Sequence, residues 1–186
     1  PFFSLTPTQC GNAGNITLHL QGVNFKADMT VELIAPNASR IAASRTNMPK
    51  EGDFWATFNL NGAQVGIYDL CVTLPNGVQV VQNDALTVVG SGGAIVAQLT
   101  VPDMVRTFRT GVFYVEVSNT SNNDCPLSDA KLMIPPGMLV GLDYALVATN
   151  QIVLNLQPKD CPFPIIAPGT TVRIPVYFQV TAPGVF

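Results

Sequence analysis

Asn15-Ile16-Thr17-Leu18-His19-Leu20-Gln21-Gly22-Val23-Asn24-Phe25 is the stretch that decides how this chain is read. Ile16, Leu18 and Leu20 alternate with Thr17, His19 and Gln21, the period of two expected when one face of a strand is buried and the other is wet. At its end, Gly22 is read as the residue free to take the backbone angles of a tight turn, so that Phe25 folds back as a plug for the core. A second phrase, Val65-Gly66-Ile67-Tyr68-Asp69-Leu70, has the complementary pattern. There Gly66 turns the chain so that Tyr68 enters the core, its hydroxyl left to find a backbone partner.

Working outward, short alternating runs are separated by Gly, Pro and Asn, and no long stretch holds a helical i, i+3, i+4 pattern. Strands are predicted at 16–21, 30–35, 40–46, 54–60, 67–74 and 85–89, then at 94–101, 112–118, 130–134, 151–156 and 172–180. Between the two groups lies Gly90-Ser91-Gly92-Gly93, by composition the most flexible stretch. The fold class that follows is all-β: two tandem immunoglobulin-like β-sandwich domains, 1–89 and 94–186, joined by a glycine-rich linker at 90–93. Pro1 is preceded by neither an initiator Met nor a basic-then-apolar leader, and Thr181-Ala182-Pro183-Gly184-Val185-Phe186 reads as an approach to a further segment. A longer parent protein is expected.

Of the 186 residues only 11% are charged, against 47% hydrophobic, and the net charge is −3 with no Lys/Arg run. Nothing here would neutralise a phosphate backbone or hold an anionic membrane surface, so neither nucleic acid nor membrane insertion is expected. The composition suits an extracellular or cell-surface β protein. Cysteine usage points the same way: Cys10 and Cys71 precede the linker and Cys125 and Cys161 follow it. Of three pairings, only Cys10 with Cys71 and Cys125 with Cys161 keeps each domain self-contained, each bond adding about 4 kcal/mol in the chain-entropy model. Such bonds imply an oxidising compartment. The alternative is four buried free thiols. A zinc site is disfavoured because no Cys-x-x-Cys spacing occurs and His19 is the one imidazole. If Tyr68, Leu70 and Val72 face the core, Cys71 points away from it.

The first phrase, with Val31-Glu32-Leu33, Trp55-Ala56-Thr57-Phe58-Asn59-Leu60 and Gly66-Ile67-Tyr68-Asp69-Leu70-Cys71-Val72-Thr73, resembles the IPT/TIG domains, the immunoglobulin-like modules of bacterial surface proteins, plexin-type receptors and Rel-type transcription factors. The resemblance covers about residues 5–89. Tyr114-Val115-Glu116-Val117-Ser118-Asn119-Thr120-Ser121-Asn122-Asn123-Asp124, Ala130-Lys131-Leu132-Met133-Ile134-Pro135-Pro136-Gly137 and Ile166-Ala167-Pro168-Gly169-Thr170-Thr171 make the second half similar to the CARDB-type adhesion sandwiches. The resemblances imply sandwich scaffolds in which Tyr68 acts like a tyrosine corner. A Rel-like DNA-binding role is disfavoured by the absence of a basic loop.

No nucleophile with a base and no paired carboxylates stand out, so the chain is read as no enzyme, with no metal and no cofactor. His19 lies in an alternating strand, where a packed or solvent-facing role is the ordinary one. Asn122, Asn123 and Asp124 with Asp129 would bring oxygens together in a turn, but without the Asp-x-Asp pattern of a calcium loop they read as turn chemistry. Trp55, predicted to face outward with Thr57 and Asn59, is the candidate surface contact for a sugar ring or a partner protein. Asn15, Asn37 and Asn119 head glycosylation sequons. The function expected is a non-enzymatic structural or adhesive module, a spacer and protein-interaction surface with self-assembly through strand edges into a fibre or layer. The alternative is a carbohydrate-binding accessory module of a secreted enzyme.

Overall fold

The alternating run at the start of the chain forms a strand, Asn15–Gly22, in the structure, a computed structural model that describes residues 3–182. Positions 183–186, read from the sequence as part of an approach to a further segment, lie outside the described residues. The strand belongs to a four-stranded sheet in the order β1 (Phe3–Thr6), β3 (Asn15–Gly22), β7 (Asp53–Asn59), β6 (Arg45–Lys50). Facing it is a five-stranded sheet in the order β2 (Gln9–Gly11), β9 (Gln79–Val89), β8 (Gly66–Thr73), β4 (Thr30–Ile34), β5 (Arg40–Ala42). Ile16, Leu18 and Leu20 from one sheet and Tyr68, Leu70 and Val72 from the other lie in one buried cluster, as period-two patterning requires.

The second half repeats the plan less completely. Its main sheet runs β10 (Ile95–Thr100), β11 (Thr110–Asn119), β18 (Thr171–Val180), β14 (Met138–Gly141), β15 (Val147–Ala148). The other layer is made of two small ladders, β13 (Ala130–Met133) with β16 (Gln151–Leu154), and β12 (Cys125–Pro126) with β17 (Ile165–Ile166). Phe113, Val115 and Val117 of β11 and Val176, Phe178 and Val180 of β18 pack with Ile134, Leu154 and Ile166 in a second buried cluster. The molecule is all-β, two immunoglobulin-like sandwiches in tandem.

Both sequence anchors reach the core. Phe25 is buried and meets Phe54 edge-on at 6.2 Å. Tyr68 is fully buried while its hydroxyl donates to the Gln64 carbonyl at 2.7 Å, four residues upstream, as a tyrosine corner does. Gly66 is required at its position, since φ is 154° and an added Cβ would stand 2.7 Å from Cγ of Pro36. The role given to Gly22 is corrected: it continues the strand, its N–H donating to the Gly52 carbonyl at 2.9 Å. Asn24, at φ 60°, makes the turn instead, a conformation asparagine tolerates better than most residues.

Two further expectations are corrected. The strand predicted at 40–46 is two strands, because at Ala43 and Ser44 the chain crosses between sheets, with Ala43 N–H bonding Val31 and Ser44 N–H bonding Thr57. The disulfides do not form: Cys10, Cys71, Cys125 and Cys161 are free thiols. In the first pair, Cys10 lies beside Val88 of β9, whereas Cys71 lies beside Val81 on the other side of that strand. At about 3.3 Å per residue this separates them by roughly 20 Å, and a disulfide tolerates about 7 Å between Cα atoms. Cys125 is paired in β12 opposite Ile166, while Cys161 belongs to the preceding loop, where its carbonyl accepts from the Gln157 amide. Cys71 is buried outside the core cluster, on the face away from Tyr68, as the strand parity demanded.

Candidate functional site

The 90–93 stretch is the point where composition misleads most. Ser91 N–H donates to Asn12 Oδ1 at 3.3 Å, and Ser91 Oγ accepts from Ala13 N–H at 2.6 Å while donating to Asn123 Oδ1 at 2.7 Å. Asn122 holds the next turn of chain, accepting from Gly92 N–H and donating to the Gly90 carbonyl, both at 3.0 Å. A segment that would be floppy alone is thus fastened to both sandwiches.

The turn 122–124 extends the fastening to the first sandwich. Gly11 N–H donates to the Asn122 carbonyl at 2.8 Å, Asn123 Nδ2 returns a bond to the Gly11 carbonyl at 3.0 Å, and Asp124 N–H reaches the Asn15 carbonyl at 2.9 Å. Gly11 has no space for a side chain, for an added Cβ would collide with Asn123 Oδ1, Ser91 Oγ and Asn122 Oδ1. At the rim, the Arg45 guanidinium lies 3.7 Å above the Phe163 ring, a cation–π contact between the two halves.

Asp124 is the chemically unusual member. Thr17 donates its hydroxyl to Oδ2 at 2.6 Å, itself 2.8 Å from the Thr57 hydroxyl, and the Thr17 backbone N–H leans toward the same carboxylate. That N–H does not reach hydrogen-bond geometry with Oδ1, which is buried without a partner. Loss of solvent around the carboxylate pushes its pKa up from 3.8 to about 6, with Thr17 and Arg45 opposing the rise only in part. Burial likewise pushes the Cys10 thiol up to about 12, aided by the charge of Asp124. The Cys161 thiol is raised by burial too, so these sulfurs are poor nucleophiles at neutral pH.

The joint collects residues that the sequence reading placed elsewhere. Asn122, Asn123 and Asp124, weighed for calcium, serve the joint, and among the described residues no group of His, Cys, Asp or Glu is arranged to hold a metal. Asn119 is buried: its Nδ2 donates to the carbonyls of Asn123 and Ile166 at 2.9 and 2.7 Å, braced for this turn, and a glycan there would break both bonds. Asn15 and Asn37 are exposed. Asn12, Thr17 and Ser91 were missed, because a joint-forming Asn or Ser has the same sequence signature as one in a turn.

Trp55 is half-buried, neither fully outward nor beneath a loop. It stacks on His19, its cross-strand neighbour, with ring centroids 4.0 Å apart and planes within 6°. Thr57, expected beside it on the wet face, is buried under the joint. His19 Nε2 lies 3.3 Å from Asp53 Oδ1 without hydrogen-bond alignment. Lys50, at 3.0 Å, and the Gln21 amide hold the Asp53 carboxyl below its ordinary range. His19 and Asp53 are thus a packed surface pair, with no hydroxyl or thiol in line as a nucleophile.

No protein-family model matches the chain. No curated protein matches it either. Among solved structures it is similar to the native conformation of E. coli alpha-2-macroglobulin, at 13% identity and a TM-score of 0.35, over 93% of this chain and 12% of that one. The chain therefore spans only 12% of that protein's length.

Proposed function

We propose that this chain is a non-enzymatic structural module of an extracellular or cell-surface protein: an IPT/TIG-like unit, 1–89, and a CARDB-like unit, 94–186, held as one stiff spacer that presents protein-interaction surfaces. The observation that supports it is the joint. Both units contribute side chains and backbone to it, and the segment 90–93 between them is bonded on both sides. A tandem pair linked only by glycines would sweep through a wide range of angles. Here bending requires breaking partly buried hydrogen bonds at about 1 kcal/mol each net.

The free cysteines remove the argument from oxidation, so the proposed location rests on the low charge and the Asn/Thr/Gly-rich surface. The carbohydrate-binding alternative gains nothing from Trp55, one face of which is covered by His19. Backbone 15N relaxation of the 186-residue chain tests the reading. A single rotational correlation time for both halves is expected; separate, faster tumbling of each half would sink it.

A further inference from the structure

The second sandwich leaves one layer short. β10 pairs with β11 on one side only, and all its residues are exposed. Leu99 and Ala97 stand opposite Val115 and Val117, whose side chains enter the core, so Leu99, Ala97 and Ile95 point to the same inner side. Nothing among the described residues covers them there: Leu99 is 51% and Ile95 43% exposed. Beside them opens an apolar groove of about 560 Å³, lined by Leu99, Val101, Met104, Phe113, Met133 and Phe178.

The strand's backbone is unprotected as well. Ala94 exchanges bonds with Thr120 toward β11, and in an antiparallel ladder that orientation alternates. Ile95, Ala97 and Leu99 therefore aim their N–H and C=O groups at the free edge. The other edges of the four- and five-stranded sheets are blunted or short. β6 carries Arg45, Pro49, Lys50 and a register shift, β5 carries Arg40, and β1, β2 and β15 have at most four residues. β10 has six residues and no charge, proline or bulge.

We infer that β10 is a docking edge whose occupant is a second copy of this chain, added antiparallel about a two-fold axis at Ala97. The edge is self-complementary in that register. Ile95 of each copy faces Leu99 of the other, the small Ala97 meets itself at the axis, and the uncharged strands do not repel. All three edge-facing residues then pair, giving about six backbone hydrogen bonds and one continuous sheet through both copies. The extended apolar face puts the Leu99 side chains of both copies along the open grooves. The pairing deepens the spacer reading by naming its partner, and it rests on that reading for its purpose.

Sedimentation equilibrium of the 186-residue chain from micromolar to millimolar concentration tests it. A monomer–dimer equilibrium is expected. Ala97→Pro removes an N–H that faces only the free edge, and should weaken dimerisation at least about tenfold, given several hydrogen bonds of about 1 kcal/mol each. Leu99→Lys, at an exposed position, should do the same should the proline variant fail to fold. For register, Ala97→Cys should cross-link to itself under mild oxidation while Ile95→Cys does not. A chain that stays monomeric, or a dimer indifferent to both edge variants, overturns the inference. Monomers that tumble as one rigid body would overturn it while leaving the spacer reading standing.

Discussion

Replacing Asp124 with asparagine should change how the stability of this protein depends on pH. In the folded chain the carboxyl titrates at about 6, against 3.8 for the ordinary group, because burial disfavours its charged form. Folding therefore binds the proton more tightly, so the contribution of Asp124 is present below pH 3.8 and lost as the pH rises through 6. Worked through linkage, wild type loses about 1.4 kcal/mol between pH 5 and 8, and about 2.4 kcal/mol between pH 4 and 8. The Asp124→Asn side chain would keep an oxygen for the Thr17 hydroxyl and carries no charge to desolvate. Its amide nitrogen would occupy the unpartnered Oδ1 position, at about 1–3 kcal/mol, so the absolute stability at pH 8 should rise only slightly or stay level. The decisive quantity is the difference in slope. Urea denaturation of both proteins at pH 5, 6, 7 and 8 measures it, with every other titrating group cancelling in the comparison. Equal slopes in the two proteins would show that Asp124 is solvated and the joint open.

Three further outcomes are expected. Gly11→Ala forces a Cβ into Asn122, Asn123 and Ser91, so it should release the joint while leaving both cores folded; small-angle scattering should show a larger radius of gyration with unchanged circular dichroism. Tyr68→Phe should lower stability by about 1 kcal/mol, small because the exposed Gln64 carbonyl regains water, and chemical denaturation reads it. Thiol titration of the unfolded, unreduced chain should find 4 thiols per molecule. In the native state Cys10 and Cys71 should resist alkylation longer than the half-buried Cys125 and Cys161, as mass mapping would show.

Much of the strand layout was legible from residue order. β3, β7 and β8 alternate over seven or eight residues, long enough for the period of two to stand out against chance. The short strands β2, β12, β15 and β17, of two or three residues, have no period to read; they are strands because of what lies beside them. β1 is a similar case, four residues paired to the far end of β3. The joint was hidden for a chemical reason. Asn, Ser and Gly bond their own turn as readily as a distant sheet, and local sequence does not say which.

Sequence alone determined the all-β class, the inward faces of the longer strands, and the burial of Phe25 and Tyr68, because these follow from side-chain parity along a single strand. Tertiary structure decided whatever depends on which strand lies next to which. Strand order set Cys10 and Cys71 on opposite sides of β9 and far apart along it, undoing a disulfide that even spacing had suggested. It brought Thr17 and Asp124 together across 107 positions, where exclusion of water gives an ordinary aspartate an unusual proton affinity. It also left β10 at an uncovered edge, since whether an apolar strand is buried depends on the layer packed against it and not on its own residues.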